Sequence, residues 1–147
     1  MTGYLSVIPA LFGSLGFLLF FNSDRRHMLM GSLNGALGWF VFLLVKNLGG
    51  DLFVCSLVGT LIATVASEIL ARTAKAPSTI YYISGIIPMV PGSNLYYMVE
   101  GFINGNKEQA LFQGSALLWT ILGMAVGVSA VLGILWTVRK IRQSRQG

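Results

Sequence analysis

Charge is scarce in this chain. Of its 147 residues only five are acidic and ten basic, while hydrophobic residues make up 54%. A soluble domain of this size cannot hide so much apolar surface, so lipid has to be its solvent. Cysteine is almost absent: Cys55 stands alone inside an apolar run. One thiol excludes an intrachain disulfide and, with no histidine near it, makes a poor metal site. Cys55 reads as a small packing residue. Histidine is also single, and His27, beside Arg25 and Arg26, reads as a solvated loop residue. No Ser/His/Asp set, carboxylate pair, phosphate loop or metal cluster is visible, so neither enzymatic apparatus nor a cofactor is expected. The cations stand singly or in short clusters between apolar runs, without a basic face interleaved with aromatics. That pattern excludes nucleic acid as a partner.

Long apolar stretches dominate. Crossing the roughly 30 Å hydrocarbon layer takes about 20 residues of helix. Five stretches qualify, at about 3–21, 28–45, 52–70, 79–99 and 111–138, cut by short polar connections. The expectation is an all-α polytopic membrane protein with five transmembrane helices, forming a single domain over 1–147 with a basic tail at 139–147. The first run has no Lys or Arg before it and no small-x-small cleavage pattern after it, so it is expected to stay as a span.

The cations orient these spans. Arg25, Arg26, Arg72, Lys75, Arg139, Lys140, Arg142 and Arg145 share one side if the chain crosses five times, leaving Lys46 and Lys107 on the other. The positive-inside rule then puts the N-terminus outside and the C-terminus in the cytoplasm. Aromatic residues fit that frame. Tyr4, Trp39, Tyr96 and Tyr97 are expected near the outer interface, and Tyr81, Tyr82 and Trp136 near the inner one. Small residues recur at four-residue spacing: Gly31 and Gly35; Gly59, Ala63 and Ser67; Gly123 and Gly127. Such stripes allow close helix approach, either for packing within the bundle or for a sliding or partner surface.

The fourth run carries the most information. It contains Ser84-Gly85-Ile86-Ile87-Pro88-Met89-Val90-Pro91-Gly92-Ser93-Asn94. Each proline removes an N–H and clashes with the carbonyl four residues back, so the helix is expected to be broken at Pro-x-x-Pro-Gly. Open backbone in hydrocarbon is costly unless protein buries it or it lines a wet cavity. Two readings follow: a plain proline kink, or a discontinuous helix offering its backbone to an anionic substrate. On the second, Pro88, Pro91, Gly92, Ser93 and Asn94 form the substrate site, with Ser93 and Asn94 capping the outer half-helix or touching ligand.

Pro88-x-x-Pro91-Gly92-Ser93, the following Tyr96-Tyr97, and Asn104-Gly105-Asn106 before a last glycine-rich span resemble the threonine/serine exporter family. More closely they resemble its split form, in which a short chain works with a longer membrane partner. The resemblance includes Ile8-Pro9-Ala10-x-x-Gly13-Ser14-Leu15-Gly16-Phe17. It implies export of threonine, serine or a small dicarboxylate such as succinate from a bacterial cell across the inner membrane, driven by an ion gradient, together with a larger subunit of the same family. A scaffold subunit and a small channel are the rival functions.

Two further polar residues fall inside spans. Glu68 either couples transport to an ion or pairs with Arg72 at i+4 near the helix end. Asn34 either bridges helices or faces a cavity. Asp51, Glu100 and Glu108 are expected to be solvated.

Overall fold

The computed structural model describes residues 2–144. All of the regular structure among these is helical: a 3-10 turn over Thr2–Ser6, then α1 (Val7–Phe20), α2 (Arg25–Asn47), α3 (Leu52–Ala74), α4 (Ser78–Ile86), a second 3-10 turn over Ile87–Met89, α5 (Gly92–Ile103) and α6 (Lys107–Ser144). Local chemistry sets the ends. The Asp24 carboxylate accepts a hydrogen bond from the Arg26 amide at 3.3 Å and so caps α2. Lys75 turns left-handed at φ 53° to end α3, and Pro77 cannot continue it. Gly49 and Gly105 take φ of 87° and 71° in the connections after α2 and α5, where a side chain would be strained.

Four segments are long and apolar enough to cross a membrane: Gly3–Phe20, Arg25–Asn47, Leu52–Ala74 and Lys107–Val138. The expected fourth span is not among them, because it is two helices of nine and twelve residues, each too short to cross alone. The break is where the prolines put it. The last helix outruns its expected limits of 111–138, since α6 holds 38 residues, about 57 Å at 1.5 Å each. Arg, Lys and Gln are good helix formers, and no glycine or proline interrupts them, so the expected tail begins as a continuation of α6. Arg145 lies outside the described residues.

α3 is the centre of the bundle, packing on α2, α4 and α6, while α5 packs chiefly on α6. The small-residue stripes are spent on this packing. A Cβ on Gly31 would come within 2.7 Å of Leu18, and one on Gly38 within 2.9 Å of the Gly85 carbonyl. On α6, a Cβ on Gly123 would run into the Ser56 hydroxyl and one on Gly127 into that of Thr60. Close backbone approach replaces the hydrophobic drive that lipid removes. The hydroxyls in these seams are closed locally. Ser56 donates to Leu52 at 2.7 Å, Thr60 to Ser56 at 2.6 Å, Thr64 to Thr60 at 2.7 Å and Ser67 to Thr64 at 2.6 Å, all to carbonyls of α3 itself. A polar line can therefore sit inside the bundle without orphaned donors.

Candidate functional site

The break in the fourth run follows from two missing amides. Pro88 has no N–H, so the Ser84 carbonyl loses the donor that an α-helix supplies four residues on. Ser14 of α1 supplies it instead: its hydroxyl donates to the Ser84 carbonyl at 2.9 Å, with both residues fully buried. Pro91 likewise frees the Ile87 carbonyl, which accepts from the Val90 amide at 3.1 Å in the tighter 3-10 pattern. Val90 is extended (φ −60°, ψ 121°), and Gly92 donates to the Val90 carbonyl at 2.8 Å. The first bond of α5 is Leu95 to the Pro91 carbonyl at 3.2 Å, so the amides of Ser93 and Asn94 precede the helix's own ladder. No side chain caps this N-terminus. The capping expected of Ser93 and Asn94 is not made: Ser93 is exposed, and Asn94 turns to α6, donating from Nδ2 to Gln113 Oε1 at 2.9 Å.

Beside the break lies an open groove of about 340 Å³, lined by Val90, Pro91 and Gly92 on one side and by Leu117, Ile121 and Met124 of α6 on the other. Its walls are apolar. Of the five expected site residues, Pro91 and Gly92 line it, Pro88 sits half-buried behind it, and Ser93 and Asn94 stand at the α5 end. Met89 is buried beneath the groove wall among Phe42, Cys55, Ala63 and Met124. Cys55 is thus the packing residue expected of it.

The other two candidates lie in the bundle core rather than in the groove. Asn34 is 2% exposed, and its Nδ2 donates to the Ala63 carbonyl of α3 and the Tyr81 carbonyl of α4, both at 3.0 Å. It bridges three helices, and because both partners are acceptors the amide orientation is fixed. Its Oδ1 is buried with no hydrogen-bond partner. Gly85 permits this, since a Cβ there would meet Asn34 Nδ2 at 2.5 Å. Glu68 is buried at 6% exposure, two turns along α3 from Thr60, whereas Arg72 is exposed.

Two interface expectations need correction. Tyr81 is 0% exposed, with its hydroxyl 2.6 Å from His27 Nδ1, so it is a core residue of α4 and not a belt residue. His27 is half-buried against it rather than solvated. Trp39 also turns inward, donating from Nε1 to Ser6 Oγ at 2.8 Å and stacking on Phe42. Tyr96, Tyr97 and Trp136 remain exposed, as a belt requires. Sequence reasoning missed Ser14 and Gln113. The signal for Ser14 was present: a proline deep in a span leaves one carbonyl needing a donor, and a serine at matching depth on another helix can provide it.

Residues 6–134 match the family described as threonine/serine exporter, ThrE. The chain belongs to the threonine/serine exporter family. No curated protein and no solved structure matches it. Membership makes it a multi-pass membrane protein of an exporter-type transporter family, one whose members carry substrates rather than transform them. Within this exporter fold, the broken run is the segment where backbone, not side chain, is offered next to a groove.

Proposed function

We propose that this chain is one half of a secondary exporter of small carboxylates, completed by a larger membrane subunit of the same family. The substrate class is threonine and serine, or a dicarboxylate such as succinate. The observation that carries the reading is the uncapped start of α5 directly behind Pro91, at the mouth of the groove. Free amides and the positive end of a helix dipole favour a carboxylate there, and the apolar wall suits the remainder of a small substrate. Pro88, Pro91 and Gly92 open the backbone, Ser93 and Asn94 present the amides, and Glu68 and Asn34 are the polar groups held in reserve in the core.

The halves α4 and α5 are read as one discontinuous crossing, the fourth of five in chain order. Support comes from their register on α6: Ile86 to Leu95 face the groove wall from Val128 back to Leu117, Asn94 meets Gln113, and Gly101 meets Ala110. α5 thus runs antiparallel to α6, and Ile86 brings the end of α4 to the same groove. With five crossings the cation distribution puts the N-terminus outside and the C-terminus in the cytoplasm of a bacterial inner membrane. The apolar face of α5, with Leu95, Phe102 and Ile103 exposed, is where the larger subunit closes the groove.

Two measurements test this. Vesicles holding the chain together with a larger family subunit should release threonine, serine or succinate, and vesicles holding the chain alone should not. Equal release by the chain alone contradicts the partnership. In a Cys55→Ser background, Asn106→Cys should react with an impermeant thiol reagent added outside; labelling only from the cytoplasmic side contradicts the orientation.

A further inference from the structure

His27 is the single histidine of the chain. It lies in the first turn of α2, with Nδ1 2.6 Å from the hydroxyl of Tyr81 and the two rings edge-on. Tyr81 is fully buried on α4, seven residues before Pro88. The same stretch of α4 is tied to α2 twice more. Asn34 donates to the Tyr81 carbonyl at 3.0 Å, and the Ser84 hydroxyl donates to the Gly31 carbonyl at 3.2 Å. Those two ties involve groups that never titrate. The third ends on an imidazole, the side chain whose ordinary midpoint of about 6.5 lies within the physiological range.

The chemistry of that third tie is asymmetric. With neutral His27 carrying its proton on Nε2, Nδ1 accepts the Tyr81 hydroxyl proton and both groups are satisfied. A proton added at Nδ1 turns that nitrogen into a donor. The tyrosine oxygen must then accept, and its own proton has to point elsewhere. Among the described residues the hydroxyl is paired only with His27, and solvent does not reach a fully buried Tyr81. A buried hydroxyl without an acceptor is costly to keep. On the α2 end, Arg25 and Arg26 flank His27, while the one acid there, Asp24, accepts from the Arg26 amide. The end of α3 brings exposed Arg72 and Lys75, with Glu68 buried on the same helix. α4 adds Tyr81 and Tyr82, and the end of α1 adds no titratable group.

We propose that His27 and Tyr81 form a proton-operated latch on the first half of the broken run. Neutral His27 holds α4 against α2. Protonation releases it and widens the open cavity, about 440 Å³ in the latched state, that Phe17, Asn22, Asp24, Ile80 and Ile83 line between the end of α1, the α1–α2 turn and α4. The latch rests on the reading of α4 and α5 as the translocation element, but its ligand, the proton, can be followed without transport.

The test uses the full chain in nanodiscs, in a Cys55→Ser background. Nitrogen-15 spectra of the single imidazole should place the neutral proton on Nε2, and Tyr81→Phe should shift both that tautomer and the titration midpoint. A thiol probe at Ile83→Cys reads the cavity. Its alkylation rate is compared at each pH with the same probe in Tyr81→Phe, so that the thiolate fraction cancels. The ratio should be several-fold below one at about pH 8 and approach one at about pH 5.5, the two sides of the imidazole midpoint. His27→Gln, which cannot titrate, should keep the ratio low at both. Identical His27 titration with and without the tyrosine hydroxyl overturns the latch, as does a ratio independent of pH in the parent. Because neither readout needs substrate, a chain that moves nothing even with a larger subunit would refute the transport reading and leave the latch separately decided.

Discussion

The two halves of the broken run have opposite surroundings. α4 is enclosed by α1, α2 and α3, and its backbone is held by side chains from two of them: Ser14 on the Ser84 carbonyl and Asn34 on the Tyr81 carbonyl. α5 packs chiefly on α6, with Asn94 donating to Gln113 and Gln109 donating weakly to the Tyr97 carbonyl at 3.4 Å, and leaves Tyr96, Phe102 and Ile103 exposed. One half is enclosed by the bundle; the other lies along its edge. The prolines between them cut the ladder that would otherwise make them one rigid rod. The difference teaches that a break at mid-run separates an anchored half from an exposed one, and substitutions on the two sides should fail in different ways.

The largest contrast is between Gly35 and Gly92. A Cβ on Gly35 would run into Ser14 and approach the Ser84 carbonyl to 2.8 Å, whereas nothing lies within 4 Å of one on Gly92. Gly35→Leu should destabilise the bundle by about 3 kcal/mol or more, by overpacking. Gly92→Leu should change stability by no more than about 0.5 kcal/mol, as at other open positions. Thermal unfolding in detergent separates them, and equal losses would erase the contrast.

Asn34→Ala should come next. It deletes two hydrogen bonds that join α2 to α3 and α4, while also removing the unpartnered Oδ1. The net cost should be about 1–2 kcal/mol, less than two full bonds, because the orphan disappears with the side chain. Asn34→Asp should cost more, since a carboxylate has no hydrogen to give the two carbonyls.

Ser14→Ala should cost about 1 kcal/mol by leaving the Ser84 carbonyl without its donor. This prediction sharpens into a cycle. Pro88→Ala restores an amide within reach of that carbonyl, so the double variant should cost about 1 kcal/mol less than the sum of the singles. Strict additivity would mean that Ser14 is not the substitute for the missing amide. The smallest stability effect should come from Asn94→Ala, at about 0.5 kcal/mol, because its bond to Gln113 is only partly buried. Its effect on apparent substrate affinity should exceed its effect on unfolding.

The same division explains what could be read from residues alone. The break was legible because proline acts on its own backbone and on the carbonyl four residues back, whatever surrounds it. The helical class was legible because charge is so thin between Gly3 and Val138. The end of α6 was not, because the charged residues that stop a hydrophobic pattern do not stop a helix. Tyr81 was misjudged for a related reason: its place in the chain set its depth near one surface, but burial depended on α2 and α3 closing around it. The reach of Asn34 to two helices, and the turn of Asn94 toward Gln113 instead of its own helix end, are contacts between segments far apart in the chain. No local pattern encodes them. The small-residue stripes were legible as contact surfaces, yet their partners emerged only from the register of α3 on α6 and of α2 on α1 and α4.

The central claim is that the opened backbone behind Pro91 is the place where substrate is held, independent of its role in folding. The most direct measurement is efflux of labelled threonine from vesicles containing this chain and a larger family subunit, comparing the parent with Gly92→Leu at equal membrane content and equal unfolding temperature. A leucine at the mouth of the groove should lower efflux by at least about tenfold, a barrier change of about 1.4 kcal/mol, while the protein inserts and unfolds as before. Unchanged efflux from a normally folded Gly92→Leu chain would contradict the account and leave the broken run as a structural kink.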